Sequence, residues 1–279
     1  MKNRKINFVF IVMIALLSAS CKKSGCTDPF ASNYSEKAEE NDGSCSYSSQ
    51  DMIFKFKFMF QGQEVNSSDL AQLKYTNSKG NVLSITKLQY LLSDFRFIKE
   101  NGDSLVTDEY HLIDIEDETT LSKTLQLQLR RGKYNAIAFN YGFELEDNND
   151  GEYTDLNVAS WSWPAILGGG YHQLKFEGNF INADDENTGY QMHNGSKAQK
   201  ITGETANYYD NHLYVLLEES AFEVNANTKI TVVMNIDQWF ENPNLWDLNE
   251  KHTMLMPDYD SQIKMRQNGS SVFTLESVK

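Results

Sequence analysis

Beyond Cys45 the chain contains no cysteine; its three thiols, Cys21, Cys26 and Cys45, all lie near the start of its 279 residues. Zinc–thiolate sites, iron–sulfur clusters and cysteine nucleophiles are thereby excluded from the body of the protein. Positive charge is scarce as well: 25 Lys and Arg stand against 39 Asp and Glu, a net charge of −14. Phosphate backbones are bound by clustered Lys and Arg, so this acidic balance argues against nucleic acid as a partner. The sequence has no GxGxxG, P-loop, GxSxG or HExxH signature. Its one glycine run, Gly168-Gly169-Gly170, follows a loop and precedes a strand, the wrong setting for a phosphate cradle. Catalysis finds no support in these features, and a non-enzymatic protein is expected. Helical periodicity is missing too, because no long segment holds apolar residues at a 3.6-residue spacing.

What is present starts at the N-terminus. Lys2, Arg4 and Lys5 precede an apolar run, Ile6 to Leu17, that is too short to span a bilayer and reads as the core of a signal peptide. The run ends in Ser18-Ala19-Ser20-Cys21, which resembles a lipobox and implies cleavage before Cys21 and acylation of its thiol. Residues 1–20 are thus expected to be a lipoprotein signal peptide. The mature chain is expected in the cell envelope, anchored by lipid to the outer membrane. With Cys21 acylated, Cys26 and Cys45 form a natural pair in an oxidising compartment. Closing so short a loop removes about 3 kcal/mol of chain entropy from the unfolded state. Around them, Cys26-Thr27-Asp28-Pro29-Phe30-Ala31-Ser32-Asn33-Tyr34 and Asp42-Gly43-Ser44-Cys45-Ser46-Tyr47 resemble a Cys-stapled repeat of exported proteins, CTDPxAxNY…DGSCxY. Residues 21–50 read as a lipid-anchored linker. Oxygens on Asp28, Asn33 and Asp42 suit calcium, although a solvated, disulfide-closed spacer needs no ion.

From Asp51 the pattern becomes alternating: Met52, Phe54, Phe56, Phe58 and Phe60 share one face, Lys55 and Lys57 the other, as in a half-buried strand. Further strands are expected at 72–76, 87–98, 110–115, 124–129, 134–143, 171–181, 212–217, 229–236 and 271–275. Turn signals such as Gly80-Asn81, Asn101-Gly102 and Arg131-Gly132 separate several of them. One short helix is expected over 237–241, capped by Asp237 and stopped by Pro243. Many short strands without alternating helices indicate an all-β fold, an antiparallel immunoglobulin-like β-sandwich with long loops and at most short helices, over residues 51–279. Two segments, 144–167 and 182–211, read as long loops and so as functional or mobile ones.

The run Leu88-Gln89-Tyr90-Leu91-Leu92-Ser93-Asp94-Phe95, the segment Trp161-Ser162-Trp163-Pro164, and Gly170-Tyr171-His172-Gln173-Leu174-Lys175-Phe176-Glu177-Gly178 together resemble the MbnP-like copper-binding proteins. Near the C-terminus, Trp239-Phe240, Asn242-Pro243, Trp246-Asp247 and Met254-Leu255-Met256-Pro257 are similar to a Bacteroidetes branch of that family. The resemblance spans most of the domain. It implies an exported copper-binding β-sandwich, in some members with one tryptophan oxidised by a partner di-haem, peroxidase-like enzyme. Trp161 or Trp163 is the residue concerned here. Members commonly carry a first-strand histidine where this sequence has Phe58, Met59 and Phe60; that ligand is absent.

Five histidines are available as imidazole donors, which copper favours along with thioether. His172 shares strand parity with Leu174 and Phe176, which points it to the apolar face, beside the Trp-rich loop. His193 lies in the polar segment 182–211, within reach of His172. His252, Met254 and Met256 alternate as they would on one face of an extended segment. His111 and His212 fall inside strand patterns and read as structural. The acidic run 144–155 departs from the EF-hand pattern, with Asn157 at the twelfth place, so calcium there needs no further weight. The competing reading is a metal-free module that contacts a partner protein or glycan through Trp161, Trp163 and Trp246.

Overall fold

The structure, a computed structural model, describes residues 22–224 and 227–279. Cys21, with the acylation expected there, lies outside the described residues. The chain divides into two compact units, the first ending at Ser48 and the second running Ser49–Lys279. In the first, β1 (Ser24–Gly25) and β2 (Glu40–Asn41) pair in parallel. Cys26 and Cys45 are disulfide-bonded, with their Cα atoms 4.8 Å apart. The oxygens considered for calcium shape turns instead. Asp28 accepts from Phe30 N–H and the Tyr47 hydroxyl, Asn33 from Ser46 N–H, and Asp42 from Ser44 N–H.

The second unit is the expected all-β sandwich. Its strands are β3 (Gln50–Phe60), β4 (Gln63–Val65), β5 (Tyr75–Thr76), β6 (Val82–Lys99), β7 (Ser104–Val106), β8 (Tyr110–Asp114), β9 (Ser122–Leu127) and β10 (Gly132–Tyr141). After a short helix α1 (Thr154–Val158) come β11 (His172–Ile181), β12 (Asn187–Gly195), β13 (Lys197–Thr202), β14 (Thr205–Asp210), β15 (Leu213–Leu217), β16 (Phe222–Val224) and β17 (Asn227–Asn235). Helix α2 (Tyr259–Gly269) and β18 (Phe273–Val278) complete the unit.

The larger sheet runs β12-β11-β6-β10-β15, with β5, β7, β8 and β16 on its flanks; the smaller runs β18-β17-β3-β4 with β9 against β3. The long β6 serves two partners in turn, β11 along Leu83–Tyr90 and β10 along Leu92–Lys99. Between the sheets aromatic rings interlock. Phe58 of β3 meets Tyr90 of β6 at 5.9 Å, and Phe273 of β18 meets Phe139 of β10 at 5.5 Å, both edge to face. Buried aromatics of this kind supply most of the apolar area that holds two sheets together.

Three features depart from expectation. The pair β3–β17 is parallel, an arrangement open to strands that no hairpin links. The segment 182–211 carries β12 and the β13–β14 hairpin rather than a loop. The 237–241 helix is a 3-10 turn over Ile236–Phe240, and Asp237 accepts from Gln61 N–H instead of capping it.

Candidate metal centre

The site grows from a glycine turn. Gly168, Gly169 and Gly170 all have positive φ (107°, 65° and 85°), a sequence of conformations open only to glycine at little cost. The turn folds the Trp-rich loop back along the start of β11, so that Trp163 N–H donates to Gly170 O at 2.8 Å and His172 N–H to Trp161 O at 2.9 Å. The acidic run clamps it from outside: Asp150 accepts from Gly170 N–H and Asn148 from Tyr171 N–H. The Asn148 and Asp150 oxygens are therefore engaged by the backbone.

Strand parity alone puts His172 in the core beside Leu174 and Phe176, yet its ring lies on the other face. The cause is a β-bulge. His172 pairs with Gly195 and Leu174 with Asn194, so one extra residue, Gln173, is accommodated between them. Such a bulge reverses the alternation beyond it. Gln173 turns inward and donates to Asn194 Oδ1, Gly195 O and Asn211 O. His172 thereby joins the face that carries Lys175, Glu177 and His193.

His172 is 5 % exposed. Its ring lies 4.9 Å from Trp163, 5.7 Å from Trp161 and 5.5 Å from the ring of His193. Burial, and secondarily the Lys175 charge, lower its pKa to about 3, so it is neutral near pH 7. Nδ1 is 3.0 Å from Trp161 O, which assigns the ring proton to Nδ1 and leaves the lone pair on Nε2. His193, which expectation set in a loop, sits on β12 opposite Lys175. Its Nε2 is 2.9 Å from Glu177 Oε1. That bond holds the Glu177 pKa below its usual range, and in the neutral ring it leaves Nδ1 without a proton. A carboxylate or carbonyl on one nitrogen, orienting the other, is the arrangement found behind metal-binding histidines.

The surrounding charges select among ions. Lys87 Nζ is 3.9 Å from Glu177, while Lys175 Nζ donates to Ser160 O and lies 4.9 Å from the Trp161 ring centre. Two lysines around one carboxylate make a poor cradle for a hard divalent cation. Among the described residues no group of three or more His, Cys, Asp or Glu is arranged to hold a metal ion. Imidazole nitrogens suit copper among several transition metals.

The remaining candidates divide. Gln191, His193, Met254, Leu255, Met256 and Pro257 line a pocket of about 220 Å³, which puts both methionines beside His193. His252 stands apart, its Nδ1 3.0 Å from Leu248 O and its ring 5.5 Å from Phe180. The expected alternation of His252, Met254 and Met256 does not form, because Met254 has φ +56° and turns the chain. Trp161, Trp163 and Trp246 are all buried, so the reading of them as surface contacts for a partner or glycan is corrected. His111 bonds Thr120 O and His212 bonds Asp210, both away from the pair. Residues that sequence reasoning missed are Glu177, Gln173 and Gln262. For Glu177 and Gln173 the one signal was a polar residue inside a strand run; Gln262 lies in α2 and had none.

Comparison with known proteins gives one family. The profile of the MbnP family matches residues 49–257. A solved structure, MbnP from Methylosinus trichosporium, superposes with a TM-score of 0.49 and 15 % identity, covering 71 % of this chain and 80 % of its own. No curated protein matches the chain.

Proposed function

The chain belongs to the MbnP family, and from that premise we propose that it binds copper as cargo in the cell envelope, as a lipid-anchored protein without catalytic activity of its own. Copper is what the family resemblance implies. The observation that carries the reading here is the His172–His193 pair, two rings 5.5 Å apart with each proton position set by a neighbour. These residues would hold Cu(I), whose preference for few, soft or imidazole donors matches what the face offers. The missing first-strand histidine is consistent with that low coordination. Trp161 has a fully buried indole N–H with no hydrogen-bond partner, whereas Trp163 donates to Leu167 O. We therefore take Trp161 as the tryptophan that a di-haem partner would oxidise.

The test is metal analysis of the full chain after titration with Cu(I) and Cu(II), beside His172→Ala. Stoichiometric Cu(I), lost in the variant, supports the proposal; no retention above background by either ion sinks it. Anchoring is tested separately, because Cys21→Ser should move the protein from the membrane fraction to the soluble one.

A further inference from the structure

Met254 is an apolar side chain 71 % exposed on an acidic protein, held at φ +56°. Left-handed backbone at a non-glycine residue costs energy and persists only where the surroundings impose it. The surroundings here are unusually explicit. Trp246 Nε1 donates to Lys251 O at 2.8 Å, Lys251 pairs with Asp258 at 2.8 Å, and Gln191 N–H donates to His252 O at 2.8 Å. The loop between Lys251 and Asp258 is thus pinned at both ends.

A second tie sits beneath the pocket. Gln262 of α2 is fully buried, and its Nε2 donates to His193 O at 2.8 Å and to Leu255 O at 3.1 Å. Its Oε1 accepts from Asn194 Nδ2 at 2.8 Å and Gly195 N–H at 3.2 Å. One amide thereby fixes the strand that carries His193 against the loop that carries Met254 and Met256. The pocket between them has two methionines and one imidazole on its wall and opens to solvent. Thioether is a soft donor of the kind that selects Cu(I).

We propose that the Met254–Met256 pocket is the port through which a soft monovalent metal ion is captured from solution and passed by way of His193 to the His172–His193 pair. This rests on the copper reading above and adds a separate role, control of entry and of ion selectivity. Met254, at the mouth, makes the first contact; Met256, partly buried, makes the next. No redox change is involved, since the ion enters and leaves as a monovalent cation. What sets Met254 apart from the other exposed apolar residues is its place on the wall of a pocket that also holds Met256 and His193.

Ag(I), redox-inert and soft, is the probe. The experiment compares the full chain with the Met254→Leu/Met256→Leu double variant, whose similar side-chain volumes preserve packing. It follows Ag(I) uptake by stopped flow, equilibrium stoichiometry by titration, and the methionine methyl resonances by NMR. Expected are shifts of both methyls once Ag(I) exceeds the equivalent held by the histidine pair. The variant should take up Ag(I) about tenfold more slowly, a loss at the low end of those seen for residues supporting a metal site, with unchanged final stoichiometry. Unmoved methyls together with equal uptake rates overturn the port while leaving the histidine pair intact. Absence of binding by the unmodified chain overturns both.

Discussion

Replacing His172 by glutamine removes a buried group that resists protonation, and the consequence is measurable as acid stability. The folded-state pKa of His172 is about 3, against an ordinary value of 6.5. Between those two pH values the unfolded chain binds a proton at this position that the folded chain does not. Stability therefore falls as pH drops below about 6.5, with a limiting slope of about 1.4 kcal/mol per pH unit. From about pH 6 to about pH 4 this one residue should cost roughly 2–3 kcal/mol. Carboxylates with lowered pKa, among them Glu177 and Asp258, also lose stability in acid, so the unmodified chain alone cannot isolate the effect. The glutamine variant does: its amide can still donate to Trp161 O, and any packing cost is the same at every pH. Urea unfolding of both proteins across this range is the assay. The difference in stability should shift by about 2–3 kcal/mol in favour of the variant as the pH falls. Parallel profiles would refute the claim that His172 is held buried and neutral.

Other perturbations follow from the same contacts. Gln262→Leu takes the Gln262 amide away from the His193 carbonyl and the Gly195 N–H, while the Leu255 carbonyl keeps Asp258 N–H, and should cost about 2–6 kcal/mol in urea unfolding, at roughly 1–3 kcal/mol per buried group left unsatisfied. Gly195→Ala places a Cβ 2.5 Å from the Trp163 ring; overpacking of about 1–3 kcal/mol is expected, with a change in tryptophan fluorescence as Trp163 moves off His172. Glu177→Gln weakens the carboxylate hold on His193, and Cu(I) affinity should fall about tenfold or more while thermal unfolding barely changes.

The sandwich was legible where burial alternates cleanly. Met52 to Phe60 on β3 and the apolar runs of β6, β10 and β11 announce themselves as strands. The segment 182–211 did not. β12 sends only Tyr190 and Met192 of its apolar side chains into the core, and every residue of β14 is exposed, so no alternation marks either. Helix α2 escaped for a related reason. Its buried positions are Ser261, Gln262, Met265, Asn268 and Gly269; Met265 alone is a large apolar side chain, and Gln262 and Asn268 bond the surrounding backbone, so no apolar stripe marks the helix.

At the site, the residue types and the proximity of His172 to the Trp-rich loop could be read from sequence. The side from which His172 is reached could not, because one bulged residue reverses the parity on which the reading depends. Nor could composition tell a surface tryptophan from a core one. Trp161 and Trp163 are buried because the three-glycine turn folds their loop back onto β11 and because Gly195 leaves room for the Trp163 ring.

X-ray absorption at the copper edge of the Cu(I)-loaded full chain bears most directly on the central claim. The account predicts nitrogen scattering from two imidazoles, and loss of that bound-copper signature in His193→Ala and in His172→Ala. A copper environment that stays the same after either histidine is removed would contradict it.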